Sequence, residues 1–437
     1  MYRTRKYFTQ DELIDTAKKE VKKELGKRFD SKKSRRILDS VLSALAVFTF
    51  KFPSLLQFDK VREAKGPKLD NLKRLFGIEK IPSDTSMREI LDEQSLDLLN
   101  PAYEKLISRL QRGKVLRDYL VLNKYHAMGL DATGFFNSNK VFCENCCTKV
   151  HKDGGKEYYH QGLALTLLHK TQKVVFPCGF EPIVKQDGNN KNDCERNAAK
   201  RLMSYYRRAH PHLPTLIIAD GLYSNAPFIK LLQQHNCRFM LVCKESDHKY
   251  LTDWVNAADH VDAPVIRKTF KGGTKREYQY MKDVPLNNNN ADLRVNVVRC
   301  WEEDKKGKES GWMWVTDLEV NEKNIEEIVS AGRARWKIEN ETFNTLKNQG
   351  YEFEHNFGHG NKNLSNFFAK VMLLAFFIDQ CSQKINMFFQ QAYLICGRKS
   401  TLWEEIRACL KHFKITAFES LYQFLSKPPP KHLLVTL

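Results

Sequence analysis

The stretch KYHAMGLDATGFF (residues 124–136) reads as a strand that is apolar almost throughout, with one carboxylate, Asp131, set into it. An ionised carboxylate is costly to bury unless it is paired or holds a metal. Two more apolar runs follow, EYYHQGLALTLLH (157–169) and KVVFPCGFEPI (173–183). Then come a helical pattern, NDCERNAAKRLMSYYRRAH (192–210), capped by Asn192 or Asp193, and a strand, PTLIIADGLYS (214–224), ending at Asp220. NAPFIKLLQQHN (225–236), with proline near its start, is helical, and RFMLVCK (238–244) is again a strand.

The order βββαβαβ is that of a ribonuclease H-like core. The expected fold class is therefore α/β: a mixed sheet flanked by helices, with a β-rich insertion, an N-terminal helical domain and C-terminal helices. Residues 1–120 read as a basic helical DNA-binding region and 121–244 as the first part of the core. Candidate strands PVIRKTF, EYQYMKDV, LRVNVVRCW and GWMWVTDL make 245–325 the insertion. Residues 326–380 complete the core with two helices, and 381–437 form a C-terminal helical region with a break at Pro428–Pro430. In the N-terminal region, Ser83 or Asp84 is expected to cap a helix that begins near Met87.

Lys and Arg number 71 against 52 acids, giving a formal charge of +19 and a polyanionic partner as the first expectation. Residues 1–36 carry 13 of those cations against six acids. The start is polar where an export signal would be apolar, and the apolar runs at Val41–Phe50 and Val371–Ile378 are shorter than the ~20 residues of a spanning helix. A cytoplasmic protein without membrane partners is expected. Eleven scattered cysteines suit a reducing compartment.

The first and fourth strands of such a core lie side by side, so Asp131 and Asp220 converge. A third acid is sought in RARWKIENETFNTLKNQG (333–350). Read as a regular helix with Glu339 at zero, Arg335 lies at about −40°, Leu346 at about −20°, Phe343 at about +40° and Glu341 at about 200°. Glu339 thus shares the core-facing side with Arg335, and Glu341 faces away, toward Lys337. Three carboxylates suit two Mg²⁺ ions, with Mn²⁺ as a substitute, about 3.5–4 Å apart for in-line attack on a phosphodiester. Arg335, Trp336 and Lys347 are the candidate DNA contacts.

CENCCTKVHKDGGKEYYHQ (143–161) places Cys143, Cys146, His151 and His160 within one short span, a candidate structural Zn²⁺ site.

LDATGFF, IIADGLYS and GRARWKIENETFNTLKN together resemble the three catalytic stretches of DDE transposases from bacterial insertion sequences, closest to the insertion-sequence four family. That family's last helix carries Tyr, two residues, Arg, three residues, Glu, six residues, Lys. Arg335 and Glu339 fit it, whereas the Tyr position is Gly332 and the Lys falls one residue late, at Lys347 instead of Leu346. The resemblance implies catalytic Asp131, Asp220 and Glu339 and metal-dependent cleavage and strand transfer. It also implies double-stranded element ends and target DNA as partners, a homodimeric synaptic complex, and a bacterial, nucleoid-associated location. The alternatives are a ribonuclease H-like nuclease or resolvase that cuts without joining, and an inactive transposase-derived DNA-binding protein.

Overall fold

A computed structural model describes residues 8–63, 66–185, 192–257, 263–270 and 273–427, so the triple-proline break and the first seven residues lie outside the described chain. The mostly apolar runs form strands whose side chains pack into the core. They are β1 (Leu120–Val121), β2 (Tyr125–Ser138), β3 (Cys147–Val150), β4 (Lys156–Leu167), β5 (Phe176–Ile183), β6 (Thr215–Ala219) and β7 (Arg238–Val242). β2 pairs antiparallel with β4, and β4 with β5, while β2–β6 and β6–β7 are parallel. The resulting order β5-β4-β2-β6-β7 is the ribonuclease H-like arrangement.

The β-rich segment continues this sheet. β8 (Val265–Thr269), β9 (Lys275–Asn287), β10 (Asn290–Glu303) and β11 (Glu309–Thr316) form an antiparallel meander, and β11 pairs with β7 through Trp314↔Val242, Val315↔Leu241 and Thr316↔Met240. One sheet of 11 strands results.

Among the described residues, six α-helices precede the sheet: α1 (Gln10–Gly26), α2 (Ser31–Thr49), α3 (Leu55–Glu63), α4 (Pro67–Phe76), α5 (Asp84–Asp92) and α6 (Asn100–Arg112). Ser83 caps α5 by accepting from the Ser86 N–H, so that helix starts at Asp84, three residues before the expected Met87. α1 buries Leu13, Ile14, Ala17, Val21 and Leu25 along one stripe, leaving Lys19, Lys22, Lys23 and Lys27 exposed. α7 (Glu195–Ala209) and α8 (Ala226–Gln234) flank the core. The N-cap of α7 is Cys194 rather than Asn192 or Asp193, whereas Asn225 caps α8 and Pro227 fills its first turn. α9 (Lys249–Ala257) is a helix that the β-rich reading of its segment missed.

α10 (Ile325–Arg333) follows the sheet, and a short α11 (Asn344–Asn348) and a long α12 (Leu364–Ile385) come after it. α12 is longer than its apolar run: its 22 residues are long and apolar enough to cross a membrane, yet 94% of the apolar window is buried inside the protein. It is a core helix. Helices from both flanking regions pack against it or against each other: Tyr103 of α6 donates to the Lys370 carbonyl, and Asp11 of α1 accepts from the Phe418 N–H at the start of α15 (Phe418–Leu425). α13 (Met387–Cys396) and α14 (Lys399–His412) complete the helical layer.

Candidate active site

Asp131 and Asp220 are brought together by strand register. Leu130 pairs with Ala219 across the parallel β2–β6 ladder, so each aspartate is the next residue on its own strand. Asp220 directly follows β6 and caps a short turn, its Oδ1 accepting from the Leu222 N–H at 3.0 Å. Asp131 stays inside β2, only 17% exposed, and accepts from the Ala132 N–H at 3.0 Å. Burial pushes its carboxyl up to about 7; Arg335 opposes that rise, while Glu339 and Asp220 add to it.

Glu339 arrives by close packing. A side chain at Gly129, two residues before Asp131 on the same face of β2, would lie 3.5 Å from Ile338 Cβ and collide with Leu168. The missing side chain lets Ile338 seat on the strand and carries its neighbour Glu339 to Asp131. One guanidinium nitrogen of Arg335 then bridges the two acids, 2.7 Å from Glu339 and 3.3 Å from Asp131.

The regular helix expected over 333–348 is not what forms. α10 ends at Arg333, the chain turns at Ala334–Arg335, and residues Ile338–Phe343 take a π-helical turn before α11. π-turns insert one residue into a helix and recur at functional sites. The broken geometry keeps the expected sides: Phe343 and Leu346 are buried, and Glu341 acts electrostatically on Lys337 and Lys399 instead of on Asp131. Lys337 itself turns inward and donates to the Gln172 carbonyl at 2.7 Å.

The other candidate contacts diverge. Trp336 is 46% exposed, its ring 5.0 Å from the Lys337 ammonium, whereas Lys347 points into a different cavity and pairs with Glu354 at 2.7 Å. Both departures from the expected helix signature have steric causes. A side chain at Gly332 would meet Met240 Cε at 2.5 Å and Trp314 at 3.0 Å, so no tyrosine fits there. Leu346 is fully buried, leaving no room for a lysine ammonium in water. The sequence reading did not pick out Glu195, whose carboxylate accepts from Tyr223 at 2.8 Å and is raised by burial, with Asp220 adding to the rise. It opens α7 as an ordinary first-turn acid, and its side of the fold shows only once β6 is placed.

A family model described as the transposase DDE domain matches residues 144–377, more than half of the chain. The chain belongs to the transposase DDE domain family. The match spans Asp220 and Glu339, and Asp131 precedes it. The cryo-EM structure of a piggyBac transposase synaptic complex with hairpin DNA is similar at TM-score 0.40 and 12% identity, covering 98% of this chain and 82% of that one. No curated protein sequence matches the chain.

In this DDE-family chain the cysteine–histidine cluster differs from its expected membership. Cys143, Cys146 and His160 are joined by His359, not by His151, with all four ligand atoms buried and within 4.8 Å of one another. His151 is exposed and pairs with Glu157 at 3.1 Å. Bonds from Cys143, opposed by burial and aided by both imidazoles, pull the Cys146 thiol far down, and that thiolate in turn holds the Cys143 proton. Such a buried two-cysteine, two-histidine set can bind a structural zinc. The local spacing of the sequence selected the nearer histidine because His359 lies 199 residues beyond His160.

Proposed function

We propose that this protein is a transposase of the insertion-sequence four family that binds the ends of a mobile DNA element and catalyses metal-dependent strand cleavage and strand transfer. The observation that carries this reading is the convergence of Asp131 inside β2, Asp220 just past the end of the neighbouring β6, and Glu339 on a docked helix, in a chain of the DDE family. The donor set is all carboxylate oxygen, which fits a hard divalent cation. The raised Asp131 carboxyl fits it too, since ionisation there requires a nearby positive charge. Mg²⁺ ions held by Asp131, Asp220 and Glu339, or Mn²⁺ in their place, would activate a water or a 3′-hydroxyl and stabilise the leaving oxygen.

The protein's own residues supply the frame. β2 and β6 fix the two aspartates in register, Gly129 admits the helix, and Arg335 holds Glu339 against Asp131. Trp336, two residues from Ile338 in the chain, has an exposed ring on which a base of the DNA would stack. The excess of positive charge, including exposed lysines of α1 and α2, supports duplex DNA as the partner, gripped by the 1–120 region in a homodimeric complex on the bacterial nucleoid.

The test uses duplex ends taken from the inverted repeats flanking the coding region. Wild-type protein with Mg²⁺ should nick these ends and join them to target DNA, and Asp220→Asn should bind them without nicking. Nicked ends with no joined product would support the nuclease reading instead. Full activity in Asp220→Asn would overturn the assignment.

A further inference from the structure

We propose that Cys143, Cys146, His160 and His359 bind one zinc ion, and that this ion staples the segment leaving the Glu339 helix to the core sheet. Five of the six edges between the ligand atoms match a coordination tetrahedron, and the sixth, Cys143 to His359, is within 4.8 Å. Zinc–sulfur bonds of about 2.3 Å and zinc–nitrogen bonds of about 2.05 Å imply edges of about 3.8 Å for S–S, 3.6 Å for S–N and 3.3 Å for N–N. The cluster has Sγ–Sγ at 3.8 Å, Cys143 Sγ to His160 Nε2 at 3.3 Å and Cys146 Sγ to His160 Nε2 at 3.4 Å. Cys146 Sγ lies 3.3 Å from His359 Nε2, and the two Nε2 atoms are 3.1 Å apart. A disulfide is excluded, since it needs about 2.05 Å between the sulfurs. Two thiols and two imidazoles form a soft and borderline set, which selects zinc over the hard ions suited to the carboxylates. All four positions are filled by protein, the mark of a structural site.

Each ligand is set in place by its surroundings. The loop between β2 and β3 folds so that the Cys143 N–H donates to Cys146 Sγ and the Cys146 N–H to the Cys143 carbonyl. The His160 ring stacks on Phe135 at 5.8 Å, and its Nδ1 has no hydrogen-bond partner among the described residues. His359 lies between Gly358 and Gly360, whose φ angles of +137° and +68° favour glycine, and its Nδ1 bonds the Gly360 carbonyl at 3.1 Å.

The ligands come from three parts of the chain, and the third is the linker from α11 to α12. That linker has no regular structure, yet the two cysteines' loop also grips it: the Glu144 N–H donates to the Asn361 carbonyl, and Asn145 Nδ2 to that of Lys362. Asp92 accepts from the N–H groups of residues 361–364. The ion therefore closes a contact between the β2–β3 loop and β4, the strand paired with the one that carries Asp131, and the linker that begins just after the Glu339 helix. This staple does not depend on the transposition reading, and its readouts require no DNA.

Full-length protein from zinc-supplemented cells, purified without chelator, should contain about one zinc per chain. Cobalt exchanged into it should give the intense visible bands and thiolate charge transfer of a tetrahedral site with sulfur ligands. His359→Ala should lower the zinc content about tenfold or more, and His151→Ala should leave it unchanged. Because a variant can fail by misfolding, the wild-type protein also carries a test of its own: a chelator should expose residues 349–363 to limited proteolysis, and re-added zinc should restore protection. Protein without zinc and without a tetrahedral cobalt spectrum would overturn the site. Zinc retained by His359→Ala but lost from His151→Ala would overturn the ligand set, and proteolysis indifferent to chelator would overturn the staple.

Discussion

Asp131→Asn should stabilise the metal-free fold while removing a proposed metal ligand. The reasoning starts from a carboxyl that titrates near 7 instead of its ordinary 3.8, chiefly because β2 buries it. The folded state then retains a proton that the unfolded chain has released, so the wild type loses stability as pH rises from about 3.8 to about 7. At roughly 1.4 kcal/mol per pH unit, the ceiling on that loss is about 4 kcal/mol. Asparagine keeps the shape and never ionises. The stability advantage of the variant should therefore be small in acid, grow by up to about 2.5 kcal/mol between pH 5 and pH 8, and level off above that. The assay is urea unfolding of both proteins in chelator across this range. Mg²⁺ added at pH 8 should then raise the wild-type midpoint and not that of the variant, because only the ionised site binds the cation in the folded state. A variant less stable than the wild type at pH 8, or an advantage that does not change with pH, would refute the account of Asp131.

Four further outcomes are expected. Glu339→Gln should lower strand cleavage by orders of magnitude, whereas Glu341→Gln should cost no more than a surface pair, roughly 0.2–1 kcal/mol, with end binding as the control for folding. Gly129→Val should clash with Leu168 and crowd Ile338, costing about 1–3 kcal/mol in denaturant unfolding and reducing cleavage, since the helix can no longer seat on β2. Lys51→Met should cost about 3–5 kcal/mol in the same assay, because it strands the buried Asp379 carboxylate that Lys51 and Tyr351 hold. Replacing the exposed Lys22, Lys23, Lys32 and Lys33 by Gln should flatten the slope of log affinity for DNA against log salt by about 0.9 for each phosphate that is no longer neutralised. Deletion of the whole 1–120 region is a poorer test, because α1 and α2 are part of the core around α12.

The strands of the core were legible because each is mostly apolar, and one aspartate within β2 and one just past β6 stood out against that background. Strand order then fixed the neighbourhood of Asp131 and Asp220 before any side chain was placed. Which of Glu339 and Glu341 faces Asp131 was legible for a different reason. Residues 335 and 339 stand one turn apart in either helical geometry, so the ion pair to Arg335 survives the π-turn that no residue pattern announced. What stayed hidden was non-local. Gly332 looks like a missing tyrosine until Met240 and Trp314 are seen against it, and Leu346 looks like a missing lysine until its burial is known. His359 had no local signal at all, since a ligand that closes a long loop is chosen by topology and not by spacing.

The same topology explains why an acid stands among so many cations in the 333–350 stretch. The helix sorts its charges to two sides. Lys337 and Glu341 turn one way, with Lys337 donating to a backbone carbonyl, and Arg335 and Glu339 turn the other way, onto Asp131. Arg335 is therefore not a free phosphate contact in this conformation, because its guanidinium already carries the charge that two carboxylates need. Those acids would otherwise repel each other, and Asp131, largely out of water, would resist ionising at all. A divalent ion entering this site would take over part of that neutralisation. The arginine would then be released from Asp131 toward the substrate without leaving Glu339, to which it is bound more closely. On this reasoning the positive charge of Arg335 is first of all a component of the acidic site.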